Sequence, residues 1–375
     1  MENPFTTSPY VSKSLFCDRE EELNTLCQYI EAGSNITLIS PRRYGKTGLI
    51  YRTFDALREQ KKPIRTFYVD IYATQSIDDF IEKLTESLVD VLGKTSAIKK
   101  LFKAIAGIRP VLSYDPINHN AKLSFTFANE QEKKLSIKAI FDFLEAEDQK
   151  VLIAIDEFQQ IREYDEAGYM EALLRSYIQP LKNVQFIFCS SKRHIMTNMF
   201  ADARSPFYES TRFLYLDKIN ADTYSAFIEQ KFAEGGKTIT QEAIDYILEW
   251  TRRHTFYTQS LCNLIYQQAN KKVTLLNVYQ AIDMTLKSNA ETFIQWRELL
   301  TKQQWNFLKA VAKEGTLTQP TASKFLQKYN IGTPSNAKRI LNALVEKELL
   351  LSLASLDSTS YVVYNVFLSR WLETI

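Results

Sequence analysis

A Gly-Lys-Thr tripeptide, Gly45–Thr47, lies between a short apolar run, Ile36–Ser40, and a stretch with helical spacing, Lys46–Gln60. This order constrains the fold more than any other feature, because a phosphate-binding loop needs a buried strand before it and a helix after it. In such a loop, backbone N–H groups and the amino terminus of the helix face the phosphates. The alternative is that the tripeptide merely begins a helix after a turn.

The residues of this loop have distinct predicted roles. Gly45 would let the backbone approach a phosphate closely, Lys46 would reach the β and γ phosphates, and Thr47 would bind Mg²⁺. The usual pattern opens with glycine, whereas Ser40 stands at that place here. The sequence therefore predicts that this segment binds the phosphates of ATP and contributes Thr47 to an Mg²⁺ site. The predicted nucleotide-binding residues are Ser40, Pro41, Arg42, Arg43, Tyr44, Gly45, Lys46, Thr47 and Gly48.

A second apolar run, Val151–Ile155, ends in two acids, Asp156 and Glu157. If this run is a parallel strand beside the first, Asp156 lies next to the loop, where it would bind Mg²⁺ or its waters. Glu157 would then polarise the attacking water. The alternative is a solvated turn after an ordinary strand. We favour the metal site, because both motifs occur in one chain and each directly follows a buried strand.

Polar residues also follow a third apolar run, Gln185–Cys189. A hydroxyl at the end of a strand beside Asp156 can orient the attacking water or sense the γ-phosphate. We predict that Ser190 or Ser191 has this role. An ordinary strand-to-loop turn is the alternative interpretation.

Residues 1–218 alternate buried strands with amphipathic helices, which is typical of a parallel sheet covered by helices on both faces. The segment Gly93–Glu132 is compatible with a helix and a short hairpin inserted before Val151–Ile155, and its residues indicate no function. The other predicted elements are the strands Arg65–Ile71 and Phe213–Leu216 and the helices Ser76–Leu92 and Leu135–Glu147.

Residues 219–295 are predicted to form an all-helical lid, and residues 296–375 a winged helix of three helices and a β-hairpin. The fold class is therefore α/β: a P-loop parallel sheet sandwiched by helices, then the lid and a C-terminal winged-helix domain. The predicted lid helices are Asp222–Ala233, Gln241–Arg252 and Phe256–Asn270. The predicted elements of the winged helix are Gln303–Lys313, Pro320–Tyr329, Ser335–Lys347, Leu349–Ala354 and Thr359–Val363.

Length and composition agree with two or three domains in a cytoplasmic protein. A chain of 375 residues is too long for one compact core. The net charge of +2 argues against a protein that coats nucleic acid by bulk charge. Four scattered cysteines indicate a reducing compartment. The sequence shows no apolar signal region and no apolar run long enough to cross a membrane, so we expect no membrane association.

The third helix of the predicted winged helix carries Lys338 and Arg339, which could contact DNA phosphates if the helix entered a major groove. The same helix carries Glu346, and the predicted wing, residues 355–360, contains no Lys or Arg. A role in packing or in binding an unknown protein partner is therefore the stronger interpretation, and DNA binding stays open.

An ordered set of motifs resembles the archaeal-type ATPase family of AAA+ and signal-transduction P-loop ATPases with C-terminal winged helices. The resemblance covers nearly the whole chain, although Asp18 and Cys189 stand where the family has glycine. Origin-recognition initiators and regulatory ATPases are relatives of this family. The motifs are Phe16–Leu23, Pro41–Thr47, Ile155–Phe158, Cys189–Ser191 and Pro206–Arg212.

The resemblance implies roles for several arginines. Arg212 matches an arginine that can act across a subunit interface on the transition state, which would require a homo-oligomer. A structural ion pair is the alternative for Arg212, and Arg204 is a competing candidate. In the lid, Arg252 or Arg253 would reach a phosphate, or would simply complement the dipole at a helix end.

Together these features predict an ATP-binding P-loop protein that is a slow ATPase and acts as a nucleotide-dependent regulatory switch. One alternative is a nucleotide-latched protein-interaction module with little turnover. The other is a DNA-binding initiator or regulator that uses the winged helix.

Overall fold

The structure is a computed structural model, and it describes residues 3–7, 10, 12–92, 100–101, 109–115, 120–127, 129–354 and 359–375. The chain forms two compact units. One unit comprises Ser8–Asp217, and the other comprises Lys218–Ile375 together with Met1–Thr7. The division therefore lies one residue from the predicted boundary at 218/219.

The first unit is built on a sheet of five parallel strands, namely β1 (Ile36–Ile39), β2 (Ile64–Asp70), β5 (Lys150–Asp156), β6 (Val184–Ser190) and β7 (Arg212–Tyr215). Their order in the sheet is β2-β5-β6-β1-β7. The described helices of this unit are α1 (Glu20–Glu31), α2 (Lys46–Glu59), α3 (Ile77–Leu92), α4 (Glu130–Glu145), α5 (Ala167–Ile178) and α6 (Arg193–Ala201). The five strands and three helices that were predicted with explicit bounds for this unit are confirmed, with bounds that differ by a few residues.

Helices cover both faces of this sheet, as predicted. On one face, α1 and α2 pack through Leu26 and Leu49 against Leu152 and Ile187. On the other face, α3, α4 and α5 contribute a larger apolar cluster, which includes Phe80 of α3. Strand β6 is buried along its whole length, which agrees with its mostly apolar sequence.

The segment before β5 contains the predicted hairpin. Strands β3 (Arg109–Asp115) and β4 (Asn120–Thr126) form an antiparallel pair. The alternating sequence of β4 is what a strand pattern requires. Most of the helix predicted here, and the hairpin turn at 116–119, lie outside the described residues.

The second unit holds the helices predicted for the lid and the winged helix. The lid region contains α7 (Ala221–Glu234), β8 (Thr238–Ile239), α8 (Gln241–Trp250), α9 (Thr255–Gln268) and β9 (Lys272–Val273). Next comes α10 (Leu275–Glu298), a continuous helix that runs through the predicted boundary at 295/296. The structure shows no break there, and the division between lid and winged helix stays a prediction.

The winged helix consists of three helices, an antiparallel hairpin and a final helix. Its elements are α11 (Lys302–Glu314), α12 (Ser323–Lys328), α13 (Pro334–Glu346), β10 (Leu350–Ala354), β11 (Thr359–Val363) and α14 (Val366–Glu373). The hairpin turn at 355–358, which is the centre of the predicted wing, lies outside the described residues. Within the ranges given above, no helix is both long and apolar enough to span a bilayer.

Candidate functional site

The site predicted from the sequence lies at the carboxyl edge of the five-stranded sheet. Strand register places Ile39 of β1 beside Ser190 of β6, and Asp70 of β2 beside Asp156 of β5. Parallel strands present their carboxyl ends at one edge, so the groups that follow β1, β5 and β6 meet there. The predicted phosphate loop, acid pair and serines therefore belong to one region.

The loop after β1 has the backbone that its sequence predicts. Gly45 adopts a left-handed conformation with φ 93°, which glycine tolerates and which other residues adopt only with strain. It is the residue that caps α2, which begins at Lys46. Arg43 is also left-handed, with φ 64°. Ser40, at the place usually held by glycine, is buried, and its N–H donates to the Ser190 carbonyl at 3.1 Å.

Lys46 is buried and points to the acid pair. Its Nζ lies 2.5 Å from Asp156 Oδ1 and 3.2 Å from Glu157 Oε1. Burial lowers the pKa of Lys46, but the electrostatic attraction of Asp156 and Glu157 raises it by more. The net shift of the Lys46 pKa is therefore upward. The ammonium group therefore stays charged at neutral pH.

The Asp156 carboxylate accepts hydrogen bonds at both oxygens. The N–H of Glu157 donates to Oδ1 at 2.9 Å, where Lys46 also binds. The Tyr68 hydroxyl and Thr47 Oγ1 donate to Oδ2 at 2.7 and 3.2 Å. Burial raises the pKa of Asp156, but the charge of Lys46 and these hydrogen bonds outweigh it, so the net shift is downward. Asp156 is therefore an ionised carboxylate.

Glu157 follows in a left-handed conformation with φ 54°, directly before a 3₁₀ helix, Phe158–Glu163. A non-glycine residue in this region carries strain, which is a feature of functional sites. One carboxylate oxygen binds Lys46. The other accepts from Gln159 Nε2 at 2.6 Å and from Ser191 Oγ at 3.3 Å. Glu157 is thus held in one orientation by three side chains.

The two serines predicted as alternatives have different surroundings. Ser191 contacts Glu157, as described above. Ser190 Oγ instead accepts from the N–H of Lys192 at 2.9 Å and so forms part of the local turn. Only Ser191 therefore joins the group around the acid pair.

Three further loop residues contact the rest of the unit. The Tyr44 carbonyl accepts from the buried side chain of Arg19 at 3.3 Å. The Arg42 guanidinium lies 5.9 Å from the centre of the Tyr72 ring. Gly48 lies within α2, and a Cβ at this position would stand 3.0 Å from the Phe16 ring. Side chains outside the motif therefore contact this segment at three places.

The structure does not bring Arg212 to this group. Arg212 begins β7 beside Ile36, at the amino end of the sheet, and its guanidinium lies 5.0 Å from the Tyr29 ring centre. Arg204, the competing candidate, is exposed and pairs with Asp202 at 2.8 Å. A role for either arginine would have to be exerted on another copy of the chain, and it stays a prediction.

The two lid arginines have protein partners within the second unit. Arg252 donates to Ser369 Oγ at 2.9 Å and to Glu373 Oε1 at 3.3 Å, both in α14. Arg253 donates to the Ile219 carbonyl at 3.4 Å. A role for either arginine at a phosphate therefore stays a prediction.

Sequence reasoning missed Tyr68 and Gln159. Tyr68 interrupts the apolar pattern of β2 two residues before its end, and Gln159 follows Glu157 by two residues. Position alone could have marked both, since each lies within three residues of a strand end at the predicted edge. Their contacts depend on side-chain directions, which the sequence does not show.

The assembled groups fit a magnesium nucleotide. Thr47 Oγ1 and the Asp156 carboxylate can both serve as oxygen ligands, the kind that Mg²⁺ prefers. They lie within hydrogen-bond distance of each other. Lys46 and the amino terminus of α2 supply positive charge for phosphates. The groups that could bind Mg²⁺ therefore lie next to the groups that could bind phosphates.

Comparison with known protein families agrees with this geometry. Residues 16–257 match the model of a family described as an ATPase domain predominantly from Archaea. The match covers more than half of the chain. The protein belongs to this family. Downstream of the archaeal ATPase domain, residues 291–374 match a model described as a "Probable winged helix domain".

Solved structures share the fold of this archaeal ATPase-family protein. A Walker-type ATPase of Pyrococcus abyssi is 18% identical, with a TM-score of 0.67 over 98% of this chain and 99% of that chain. The ORC2 protein of Aeropyrum pernix, in ADPNP–ADP complexes, is 14% identical, with a TM-score of 0.57 over 98% and 93%. At these identities the likeness shows the fold alone. No curated protein sequence matches the chain significantly.

Proposed function

We propose that this protein binds ATP with Mg²⁺ at the carboxyl edge of its sheet and hydrolyses it slowly to ADP and phosphate as a regulatory switch. One observation carries the proposal: Lys46, Thr47, Asp156 and Glu157 form a single network around a buried ion pair although they come from separate parts of the chain. The ORC2 structure of similar fold was solved with ADPNP and ADP, which supports a nucleotide as the ligand.

Each residue of the network has a chemical role in this proposal. Lys46 would leave the acid pair and bind the β and γ phosphates, and Thr47 and Asp156 would hold Mg²⁺. The metal, when bound, neutralises charge that develops on the phosphates. Glu157 would orient and polarise the attacking water, because Gln159 and Ser191 already fix its carboxylate.

Two substitutions test the assignment. Glu157→Gln keeps the size of the side chain but removes the base, so we expect near-normal ATP affinity and a loss of hydrolysis of about 100-fold or more. Lys46→Ala should abolish tight nucleotide binding. Fluorescent-nucleotide titration and phosphate release measure the two effects. Undiminished hydrolysis by Glu157→Gln would exclude the assigned role.

A nucleotide-dependent switch and a nucleotide-latched protein-interaction module differ in how much ATP they hydrolyse. A switch requires single-turnover hydrolysis by the wild-type protein, followed by release of ADP. In a nucleotide-latched interaction module, the purified protein would retain its nucleotide and hydrolyse almost none. Identification of the nucleotide bound to the purified protein separates these cases. The mass of the protein in solution, measured with and without ATP, reveals any homo-oligomer.

A second candidate function is DNA binding by the winged helix. Helix α13 packs through Ile340 and Leu344, while Lys338 and Arg339 are exposed on its other side. Exposed cations on this helix could neutralise DNA phosphates. A DNA titration at increasing salt should then show a steep loss of affinity, and a Lys338→Ala, Arg339→Ala double variant should reduce the slope by about two. Negligible, salt-independent binding would favour a protein partner.

A further inference from the structure

The Asp156 carboxylate has four donors, and the proposed function would remove two of them. Lys46 would turn to the phosphates and Thr47 to the metal, and each would vacate one Asp156 oxygen. The remaining donors are the N–H of Glu157 on Oδ1 and the Tyr68 hydroxyl on Oδ2. Each oxygen would keep one protein donor and have one side open.

Tyr68 reaches Asp156 because of strand register. It lies opposite Ala154 in the β2–β5 pair, and Asp70 lies opposite Asp156. Side chains two residues apart point to the same face of a sheet, so the tyrosine ring extends along that face past the small Ala154 side chain. Its hydroxyl stands 2.7 Å from Oδ2, a short distance typical of a charge-assisted hydrogen bond.

The ring of Tyr68 is itself held in place. The Tyr51 ring packs against it at 5.1 Å between centres, and the Tyr10 ring stacks on Tyr51 at 6.5 Å. The Tyr68 hydroxyl is therefore held at Asp156 Oδ2 by ring packing as well as by its own hydrogen bond.

We propose that Tyr68 is a positioning residue that orients the Asp156 carboxylate for Mg²⁺, an inference that rests on the proposed function. A donor that orients a metal-binding carboxylate typically changes metal affinity by about 10- to 100-fold. The Glu157 N–H, which binds Oδ1, is fixed by the backbone. Tyr68 is therefore the remaining side chain that would set the orientation of Oδ2 toward the metal.

The test compares Tyr68→Phe with wild type and with Tyr51→Phe. Tyr51 is a matched control, because it loses one hydroxyl from the adjacent ring of the same cluster. Fluorescent ADP is titrated in EDTA and at a series of Mg²⁺ concentrations. We expect Tyr68→Phe to require about tenfold more Mg²⁺ for the half-maximal change in affinity, with affinity in EDTA unchanged. Tyr51→Phe should match wild type in both conditions.

A double-mutant cycle with Asp156→Asn provides a second measurement. If Tyr68 acts through the carboxylate, Tyr68→Phe should leave nucleotide affinity unchanged in the Asp156→Asn background, both in EDTA and with Mg²⁺, and a loss of affinity that persists there would show that Tyr68 acts by another route. Thermal unfolding of each variant checks that the fold is retained. Equal weakening of binding in EDTA and in Mg²⁺ would indicate a merely structural role and overturn the proposal.

Two failures are distinguishable. If wild type binds nucleotide with Mg²⁺ and Tyr68→Phe has the same Mg²⁺ dependence, only the role of Tyr68 is wrong. If wild type binds no nucleotide in either condition, the proposed function falls and this inference falls with it.

Discussion

The carboxyl edge of the parallel sheet and the exposed side of α13 both carry cations, but in opposite settings. Lys46 is buried and lies within 3.2 Å of both Asp156 and Glu157, whereas Lys338 is exposed on a helix surface. A buried charge is costly unless its partners are in place, so its presence needs a structural or functional reason. An exposed lysine needs none. The first region therefore indicates a function far more strongly than the second.

The largest expected contrast is in stability. Lys46→Ala leaves Asp156 and Glu157 facing each other without their cation, and we expect the free energy of unfolding to fall by about 3 kcal/mol. Lys338→Ala should change it by no more than about 0.5 kcal/mol. Denaturant unfolding measures both. Adding Asp156→Asn to Lys46→Ala should recover part of the loss, and equal losses for the two lysine variants would break the comparison.

A smaller effect concerns competition within the network. Lys46 must leave Asp156 before it can bind phosphates, so the ion pair opposes binding of nucleotide without metal. We expect Asp156→Asn to bind ADP in EDTA about tenfold more tightly than wild type, equivalent to about 1.4 kcal/mol. The same variant should lose the gain in affinity that Mg²⁺ provides. Weaker binding in EDTA would contradict this competition.

The same aspartate should contribute to acid sensitivity. Its pKa is lower in the folded protein than its usual value near 3.9, so its stabilising contribution is complete above about pH 4 to 5. The contribution is lost as pH falls through the folded-state pKa, because protonation breaks the ion pair with Lys46. Asp156→Asn should therefore show a shallower fall in unfolding free energy below pH 4 than wild type. Parallel pH profiles would exclude this contribution.

The smallest effect compares two glycines with similar backbone. Gly45 has φ 93° in the phosphate loop, and Gly332 has φ 96° before α13. Alanine at either position should cost about 1 kcal/mol of stability through backbone strain. Only Gly45→Ala should also weaken nucleotide binding, since the strain would change how the loop N–H groups face the phosphates. Equal nucleotide affinity for the two variants would show that loop geometry does not matter.

Local patterns predicted most of the fold. The apolar runs of β1, β5 and β6 could be read directly because strands buried on both faces have few polar residues. The Gly-Lys-Thr tripeptide marked the start of α2 correctly. The boundary between lid and winged helix stays a prediction, because α10 runs through 295/296 without a break.

The sequence by itself determined the residue types at the carboxyl edge and the order in which strands deliver them. Tertiary structure alone decided which of them meet: Ser191 rather than Ser190 contacts Glu157, Tyr68 reaches Asp156, and Arg212 lies at the far end of the sheet. The physical reason is the distance along the chain over which each feature is determined. Strand propensity and loop conformation depend on neighbours along the chain, whereas these contacts depend on strand register and side-chain direction between distant segments.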